Sequence, residues 1–563
     1  MFTIKNKINA EAQMLGSSVA RSKLLQTAIL CLLFILLSSP VMSILAVASG
    51  NTGTLFIHLF HTVLPGYIIN TILLMCGVGV IAGFIGVSSA WVVCRYAFWG
   101  RKIFDFLLVL PAAIPAYIIA YAYTDFLEYS GPVQRGLRAV FGWNNAQDYW
   151  FFEIRSLGGA MVMMGLVLYP YVYLMVRTAL RQTSSGFFEV GMLSGRAVFS
   201  LIALPLVRPA IVAGLAVVLM EVISDFGTVD YFAVETLTLG IFNVWIGMGS
   251  IEAAAQLALF AFFLIGLLLS AEILARRRGG VSNASSGRLG VPSISPSPVM
   301  NLVCVLICAL PIGFGFVLPA MILISHISAN AIEALHIPYA RLVWHSLVLA
   351  FLAACLVMAV GFVLIAFSRL GQGKGAKILS GISIMGYAFP GTILAIGVLF
   401  VSGMVDELFA FLSIDLFVTG SLITLLFGLL VRFLAVGFGS LNTAIEKMPP
   451  FMLESGQILG HSFGSILRQI ILPQMKLPLL VGGLLVFVDV MKELPLTLLL
   501  RPFAFETFAT ISYEYAKDEM IEVAALPALF IIMVGVAPVF VANHILRTDT
   551  KKLASQAVGE SSR

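Results

Sequence analysis

The sequence predicts an all-α polytopic membrane protein of about twelve transmembrane helices, arranged as two parallel six-helix repeats. Three observations carry that expectation. Of 563 residues, 60% are apolar and 11% charged, with a mean hydropathy of +1.02, whereas a soluble chain carries roughly 25% charged residues. The apolar residues come in runs close to the ~20 needed to cross a bilayer core. One amphipathic pattern also occurs twice between such runs: a Glu, a Gly six residues on, and a Leu-Pro before the next run. Its members are Glu189, Gly195 and Pro205 in the first copy, and Glu454, Gly460 and Pro473 in the second.

Residues 1–23 are polar and carry Lys5, Lys7, Arg21 and Lys23. The run at 24–48 ends like a signal peptide, in A-V-A-S-G, but is too long for a signal core and reads as an uncleaved anchor. Further runs lie near 67–93, 104–124, 158–177, 206–229 and 253–274. A second set lies near 299–325, 343–367, 377–403, 417–437, 474–499 and 523–545. Between the sets, residues 276–298 are rich in Ser, Gly and Pro with basic residues and no apolar period. They read as a flexible linker between repeats at 1–275 and 299–563.

Lysine and arginine placement sets the topology. With the N-terminus inside, only Arg135, Arg138, Arg155, Arg341, Arg501 and Lys517 fall in outer loops and Lys492 inside a span. The other 26 of the 33 basic residues are inner. Both termini, the linker and both Glu-Gly-Pro loops therefore face the cytoplasm. The halves align: Asn70 with His345 and Pro115 with Pro390 at an offset of 275, the motif glutamates at 265, and Pro205 with Pro473 at 268. Six spans in each half make the repeats parallel, related by an axis along the membrane normal. The net charge of +5 is modest, and no nucleic-acid partner is expected. Cys31, Cys76, Cys94, Cys304, Cys308 and Cys355 lie in or beside apolar runs and read as buried packing residues.

In each loop a small residue beside the Glu permits close approach to a partner, the later Gly frees a turn, and the Pro suits a helix start. The Gly-to-Pro spacing is 10 in the first loop and 13 in the second. Read singly, each is an ordinary loop with a helix-start proline; two at matching cytoplasmic positions argue for a shared docking role. This pattern resembles the E-A-A…G…I-x-L-P loop of ABC importer permeases, with the coupling loops near 186–205 and 451–473. The resemblance implies that each loop docks on a separate ATPase, the first less typically because it is three residues short.

The fifth and eleventh spans carry charge. Glu221 and Asp225 align with Asp489 and Glu493 at an offset of 268, each pair spaced i, i+4 on one helix face. They lie 16 to 20 residues past the Leu-Pro, about 24–30 Å along a helix, toward the outer end. Gly227 and Pro495 then break the helices, so the carboxylates oppose the helix dipole, and Lys492 is placed to pair with Asp489. One reading is a membrane-edge ion pair; the other is an anion-lined gate on the substrate path, formed by Glu221, Ser224, Asp225, Asp489, Lys492 and Glu493. His58, His61, His326 and His336 form no evident metal site. The outer segment 125–157, with Trp143 and Trp150, reads as an interface anchor or a surface for a binding protein.

The stretches S-D-F-G-T-V-D-Y-F at 224–232, G-M-G-S-I-E-A-A-A-Q-L-A at 247–258 and M-K-E-L-P-L-T-L-L-L-R-P at 491–502 resemble the fused permeases of bacterial ferric-iron ABC importers. The resemblance covers most of both halves. It implies an inner-membrane permease receiving Fe(III) from a periplasmic binding protein, with ATP and Mg on a homodimeric ATPase and no cofactor on this chain. Ferric ion prefers oxygen ligands, which the carboxylates match. Thiamine, polyamine and aminoethylphosphonate permeases share the architecture, and a secondary transporter is the competing class. No G-x-x-x-x-G-K-[ST] is present, and Gly373-Lys374-Gly375 lacks the Ser or Thr for magnesium. No ATPase or other enzymatic activity is therefore expected of the chain itself.

Overall fold

A computed structural model of the protein describes residues 27–193, 197–278, 290–329, 339–370, 386, 389–446, 448–459, 461 and 463–538. The N-terminal basic residues, Gly195, His336, the Gly373–Gly375 fragment, Gly460, and the span ends at 377–385 and 539–545 lie outside them. The described residues are helical. In order they form α1 Thr27–Ala48, α2 Leu55–Thr62, α3 Leu64–Arg95, α4 Arg101–Leu107, α5 Ala116–Leu127, α6 Pro132–Phe141, α7 Leu157–Gln182 and α8 Ser185–Leu193. Next come α9 Leu204–Ser224, α10 Gly227–Tyr231, α11 Leu237–Phe242, α12 Ile251–Arg278, α13 Pro298–Ile312, α14 Leu318–Ala329 and α15 Tyr339–Leu370. The last are α16 Gly391–Phe411, α17 Leu422–Glu446, α18 Pro450–Ile458, α19 Phe463–Ile466, α20 Leu472–Met491, α21 Pro495–Leu500, α22 Phe508–Lys517 and α23 Ile521–Pro538. Eleven of these stretches are long and apolar enough to cross a membrane, and twelve if the bent pair Arg101–Ala113 and Ala116–Phe141 is one span. The protein is an all-α polytopic membrane protein, as its composition requires.

The bent span has a local cause. Pro115 pushes its predecessor out of the helical region, so Ile114 is extended at ψ 121° and the two pieces meet at 91°. Pro115 itself has φ −59° and ψ 143°, and α5 begins at the next residue. Its counterpart Pro390 has φ −53° and ψ 142°, and α16 begins just after it.

Three of the Leu-Pro pairs share a structural signature. Phe199–Ala203, Gly313–Val317 and Leu467–Ile471 are single π turns, and Leu-Pro follows each at once: Pro205, Pro319 and Pro473. A proline inside a helix removes one bond and crowds the carbonyl four residues back. That carbonyl lies within the wide turn every time, so the extra residue of the π turn makes room for the ring. The proline therefore sits inside a continuing helix, not at a free start.

The chain divides into two compact units. One takes in Met1–Ala46, Leu347–Val490 and Leu499–Ala504; the other Val47–Ser346, Met491–Leu498 and Phe505–Arg563. In the first, α1 lies on α16, with the Ser43 hydroxyl donating to the Gly397 carbonyl at 3.0 Å. In the second, the π turn between α13 and α14 lies on α5, with the Tyr123 hydroxyl donating to the Phe314 carbonyl at 2.6 Å. Each unit thus joins the leading span of one sequence half to later spans of the other half. Small residues let the spans approach: a Cβ at Gly86 or Gly214 would meet Val172 at 2.7 and 2.8 Å, and one at Gly437 would meet Val357 at 2.7 Å.

Within the second unit, equivalent positions of the two halves do equivalent work. The Thr71 hydroxyl accepts from the Leu237 N–H at 3.0 Å, and the Ser346 hydroxyl, 275 residues on, accepts from the Phe508 N–H at 2.9 Å. Asn70 donates to the Glu235 carbonyl at 3.0 Å, while His345 stacks on Phe505 at 4.4 Å. Two expectations change. Cys94, Cys304 and Cys308 are buried, but Cys31, Cys76 and Cys355 are exposed on the outside of apolar helices, where a weakly polar thiol suits acyl chains. The flexible reading of 276–298 does not extend to its ends. Arg276–Arg278 continue α12, and Ile294 pairs with Tyr96 in an isolated β bridge.

Candidate functional site

The two motif loops fold alike. α8 and α18 span the same nine positions at an offset of 265, while the π turns and the starts of α9 and α20 match at 268. The three-residue difference therefore falls between helix and π turn, where the second loop carries the single turn of α19 and residues 194–196 of the first lie outside the described residues. Glu189 is exposed on α8, and Glu454 falls within α18. Pro205 and Pro473 are the second residues of α9 and α20. Gly195 and Gly460 lie outside the described residues. The small residue near each Glu serves the loop itself rather than a partner: a Cβ at Gly191 would overlap Ile202, and one at Gly456 would meet Ile470 at 3.1 Å and Ile466 at 3.2 Å. Closing the loop on itself turns large aliphatic side chains outward. Leu193 is 89% exposed and its counterpart Ile458 is 85% exposed, with Val190, Phe451 and Leu459 exposed beside them.

The intramembrane carboxylates have a different environment from the one their place in the sequence suggests. Ser224 is the buried last residue of α9, with Glu221 one turn earlier. Asp225 follows α9, but the chain resumes as α10 two residues later. Its carboxylate accepts from the Thr228 N–H at 3.0 Å, the Thr228 hydroxyl at 3.0 Å and the Val229 N–H at 3.3 Å. Glu493, 268 residues on, repeats this at α21. It accepts from the Leu496 N–H at 2.9 Å, the Thr497 N–H at 2.8 Å and the Thr497 hydroxyl at 2.7 Å. Both carboxylates therefore cap the N-terminus of a following short helix, where the backbone donors favour negative charge. The C-terminal dipole that appeared to oppose them belongs to the preceding helix. Asp489 remains on α20, and Lys492 lies in the break before α21.

The short helices are packed tightly. A Cβ at Gly227 would meet Leu494 at 2.7 Å and Tyr117 at 2.8 Å. Tyr117 is buried, and its hydroxyl has no hydrogen-bond partner among the described residues. Nearby, the Tyr121 and Ser512 hydroxyls lie 2.9 Å apart, Tyr513 donates to Asp230, and Lys517 reaches Asp230 at 2.8 Å. Arg155 bridges Glu128 at 2.6 Å and Glu519 at 3.3 Å, and His326 on α14 pairs with Asp125 at 2.8 Å. Toward the C-terminal ends of α4 and α7, Asp105 holds Arg177 at 2.7 Å and Arg181 at 2.8 Å. None of these pairings was anticipated from the sequence. The i, i+4 spacing of Tyr117 and Tyr121 was a usable signal; the partners of Asp230, and Glu519 as a partner of Arg155, lie hundreds of residues away and left none.

In the segment 125–157, Trp143 stacks between Phe141 and Tyr149 at 4.7 Å each, while Trp150 is exposed. Asp148 accepts from the Asn144 and Asn145 N–H groups at 2.7 and 2.9 Å, which holds its carboxyl below the usual range. A cleft of about 450 Å³ opens beside Glu128, Tyr149, Trp150 and Arg155. His58 and His61 lie on α2 and are exposed. Among the described residues no three His, Cys, Asp or Glu side chains gather as a metal would need.

No family model matches the chain. It is 22% identical over 491 residues to the Fe(3+)-transport system permease protein FbpB 2 of Haemophilus influenzae, covering 86% of this chain and 90% of that protein. It is 27% identical over 204 residues to the molybdenum transport system permease protein ModB of the same organism, covering 34% of this chain and 85% of that protein. Over 159 residues it is 27% identical to the sulfate transport system permease protein CysT of Escherichia coli, covering 27% of this chain and 52% of that protein. A relative matched over nearly its whole length by a third of this chain is what a duplicated permease would produce. These similarities support a duplicated permease of the ABC-transporter kind.

Proposed function

We propose that the chain is the membrane subunit of an ATP-driven importer for a small polar solute, with no ATPase site of its own. The observation that carries this is the pair of matching inner loops, each closed on a glycine and each exposing a large aliphatic side chain at the same position. A secondary transporter has no use for two such loops. They are the coupling surfaces for a cytoplasmic ATPase, which supplies ATP and Mg and has two equivalent sites. A periplasmic binding protein delivers the solute at the other face. The chain lies in the inner membrane with both termini in the cytoplasm, as basic-residue placement supports, and residues 1–275 and 299–563 are the two repeats.

Ferric ion is one substrate reading, supported by a similarity that spans both halves. The molybdenum and sulfate relatives match shorter stretches and favour an oxyanion as the second reading. The capped carboxylates lean against direct metal ligation. The oxygens of Asp225 and Glu493 already accept helix N–H groups, so these residues, with Glu221, Ser224, Asp489 and Lys492, set the position of the short helices along the path.

Reconstitution with the neighbouring ATPase and binding protein tests both levels. Uptake of labelled ferric ion, molybdate, sulfate, thiamine and spermidine is compared with and without ATP. ATP-dependent uptake of one of them supports the importer reading and names its class. Uptake driven by a proton or sodium gradient with no ATPase present would overturn it.

A further inference from the structure

The shortened first loop has a support that its own sequence does not supply. Arg95, the last residue of α3, is 7% exposed. Its guanidinium donates through Nη1 to the Pro292 carbonyl at 2.6 Å and through Nη2 to the Met192 Sδ at 3.1 Å. Met192 is near the end of α8, and Pro292 is in the tail of the linker. That tail is pinned twice more. The Ile294 N–H donates to the Arg95 carbonyl and the Ala97 N–H to the Ile294 carbonyl, both at 2.9 Å. Gly290, at φ +97°, donates to the Thr183 carbonyl at 2.8 Å. Thr183 is the C-cap of α7, directly before α8. The linker tail is therefore tied to the chain at both ends of α8.

We propose that Arg95 and residues 290–294 form a strap that positions α8 for its ATPase partner, so that the linker takes part in coupling rather than only joining the repeats. The proposal rests on the coupling-loop reading above. Arg95 is a positioning residue in this scheme. Its planar, permanently charged fork can hold a carbonyl and a thioether at once, which a lysine ammonium on a flexible stem reproduces poorly. The strap also answers a need: the first loop is three residues shorter between α8 and its π turn than the second, so less of its own chain is available to fix α8.

The test uses the full chain, with and without its co-expressed ATPase. Arg95→Ala removes the fork. Because a buried arginine can be needed for folding, Ile294→Pro removes the strap's N–H from the linker side and leaves α3 intact. Hydrogen exchange at residues 185–193 should rise about tenfold or more in both variants, as local opening becomes easier, while residues 450–458 stay unchanged. ATPase co-purification should fall with it, and Arg95→Lys should restore little. Unchanged exchange at 185–193 in both variants would overturn the strap. So would raised exchange with full ATPase retention, provided Glu189→Lys does lower retention. If Glu189→Lys and Glu454→Lys both leave retention untouched, the coupling-loop reading itself has failed.

Discussion

Removing the Glu493 carboxylate should loosen α21 more than removing Asp225 loosens α10. Glu493 is 5% exposed and accepts two backbone N–H groups and one hydroxyl at 2.7–2.9 Å. Glu493→Ala leaves both N–H groups buried and unpaired, at about 1–3 kcal/mol each. Opening of α21 admits water and relieves part of that, so a net loss of about 2–3 kcal/mol is expected. Since 1.4 kcal/mol is tenfold, local opening becomes roughly 30- to 150-fold more frequent. Asp225 is more accessible and its bonds are longer, at 3.0–3.3 Å, so Asp225→Ala should cost about 1–2 kcal/mol, as ordinary caps do. Hydrogen exchange of the permease in lipid nanodiscs, followed at residues 496–500 and 228–231, measures both directly. If Glu493→Ala leaves protection at 496–500 within twofold of the parent, or if Asp225→Ala has the larger effect, the capping argument is wrong.

Four further outcomes are expected. Gly227→Ala should displace α10, because its methyl would lie within 2.8 Å of Leu494 and Tyr117; overpacking costs about 1–3 kcal/mol, seen as faster exchange at 227–231 and reduced uptake. Asp225→Asn combined with Glu493→Gln should lose less uptake than the sum of the single losses, since Gly227 and Leu494 bring the two capped segments into contact and neighbours couple; strict additivity would mean two separate caps. Glu454→Lys should weaken ATPase co-purification more than Glu189→Lys, because the second loop keeps the longer Gly-to-Pro spacing; equal losses would show that the shorter loop couples as well. Trp143 fluorescence should be flat with pH above about 4, the unfolded carboxyl value, and change only as pH falls through the lowered value of Asp148; Asp148→Asn should remove that acid transition.

The spans were legible because bilayer thickness and hydropathy act on each run by itself. Pro115 and Pro390 were legible as a pair for a similar reason: the ring imposes the same local geometry wherever it stands, and both begin a helix. The prolines of the two loops were read less well. Pro205 and Pro473 looked like helix starts because hydropathy does not register a π turn, yet the Leu-Pro that closes each turn was visible in the sequence.

The carboxylates make the sharper case. Counting residues from Pro205 and Pro473 put Asp225 and Glu493 at the end of a long helix, where charge is costly, and that cost suggested a gate. The count was right; the missing fact was that a second helix starts two residues later. Local chemistry carried the clue, since Asp225 is followed at i+3 by Thr228 and Glu493 at i+4 by Thr497, each with a hydroxyl and an N–H in reach. Apolar neighbours such as Phe226 and Leu494 hid the break by keeping hydropathy high across it. A gate remains compatible with caps, and the caps say how it would work: a short helix held by one carboxylate has a single place to let go. Moving it exposes two backbone donors, a cost that a polar solute could offset by accepting from them in the carboxylate's stead. That exchange favours a solute rich in acceptor oxygens, whether an oxyanion or a metal ion chelated by oxygen ligands, over a bare or simply hydrated cation, whose bound waters present hydrogens rather than acceptors.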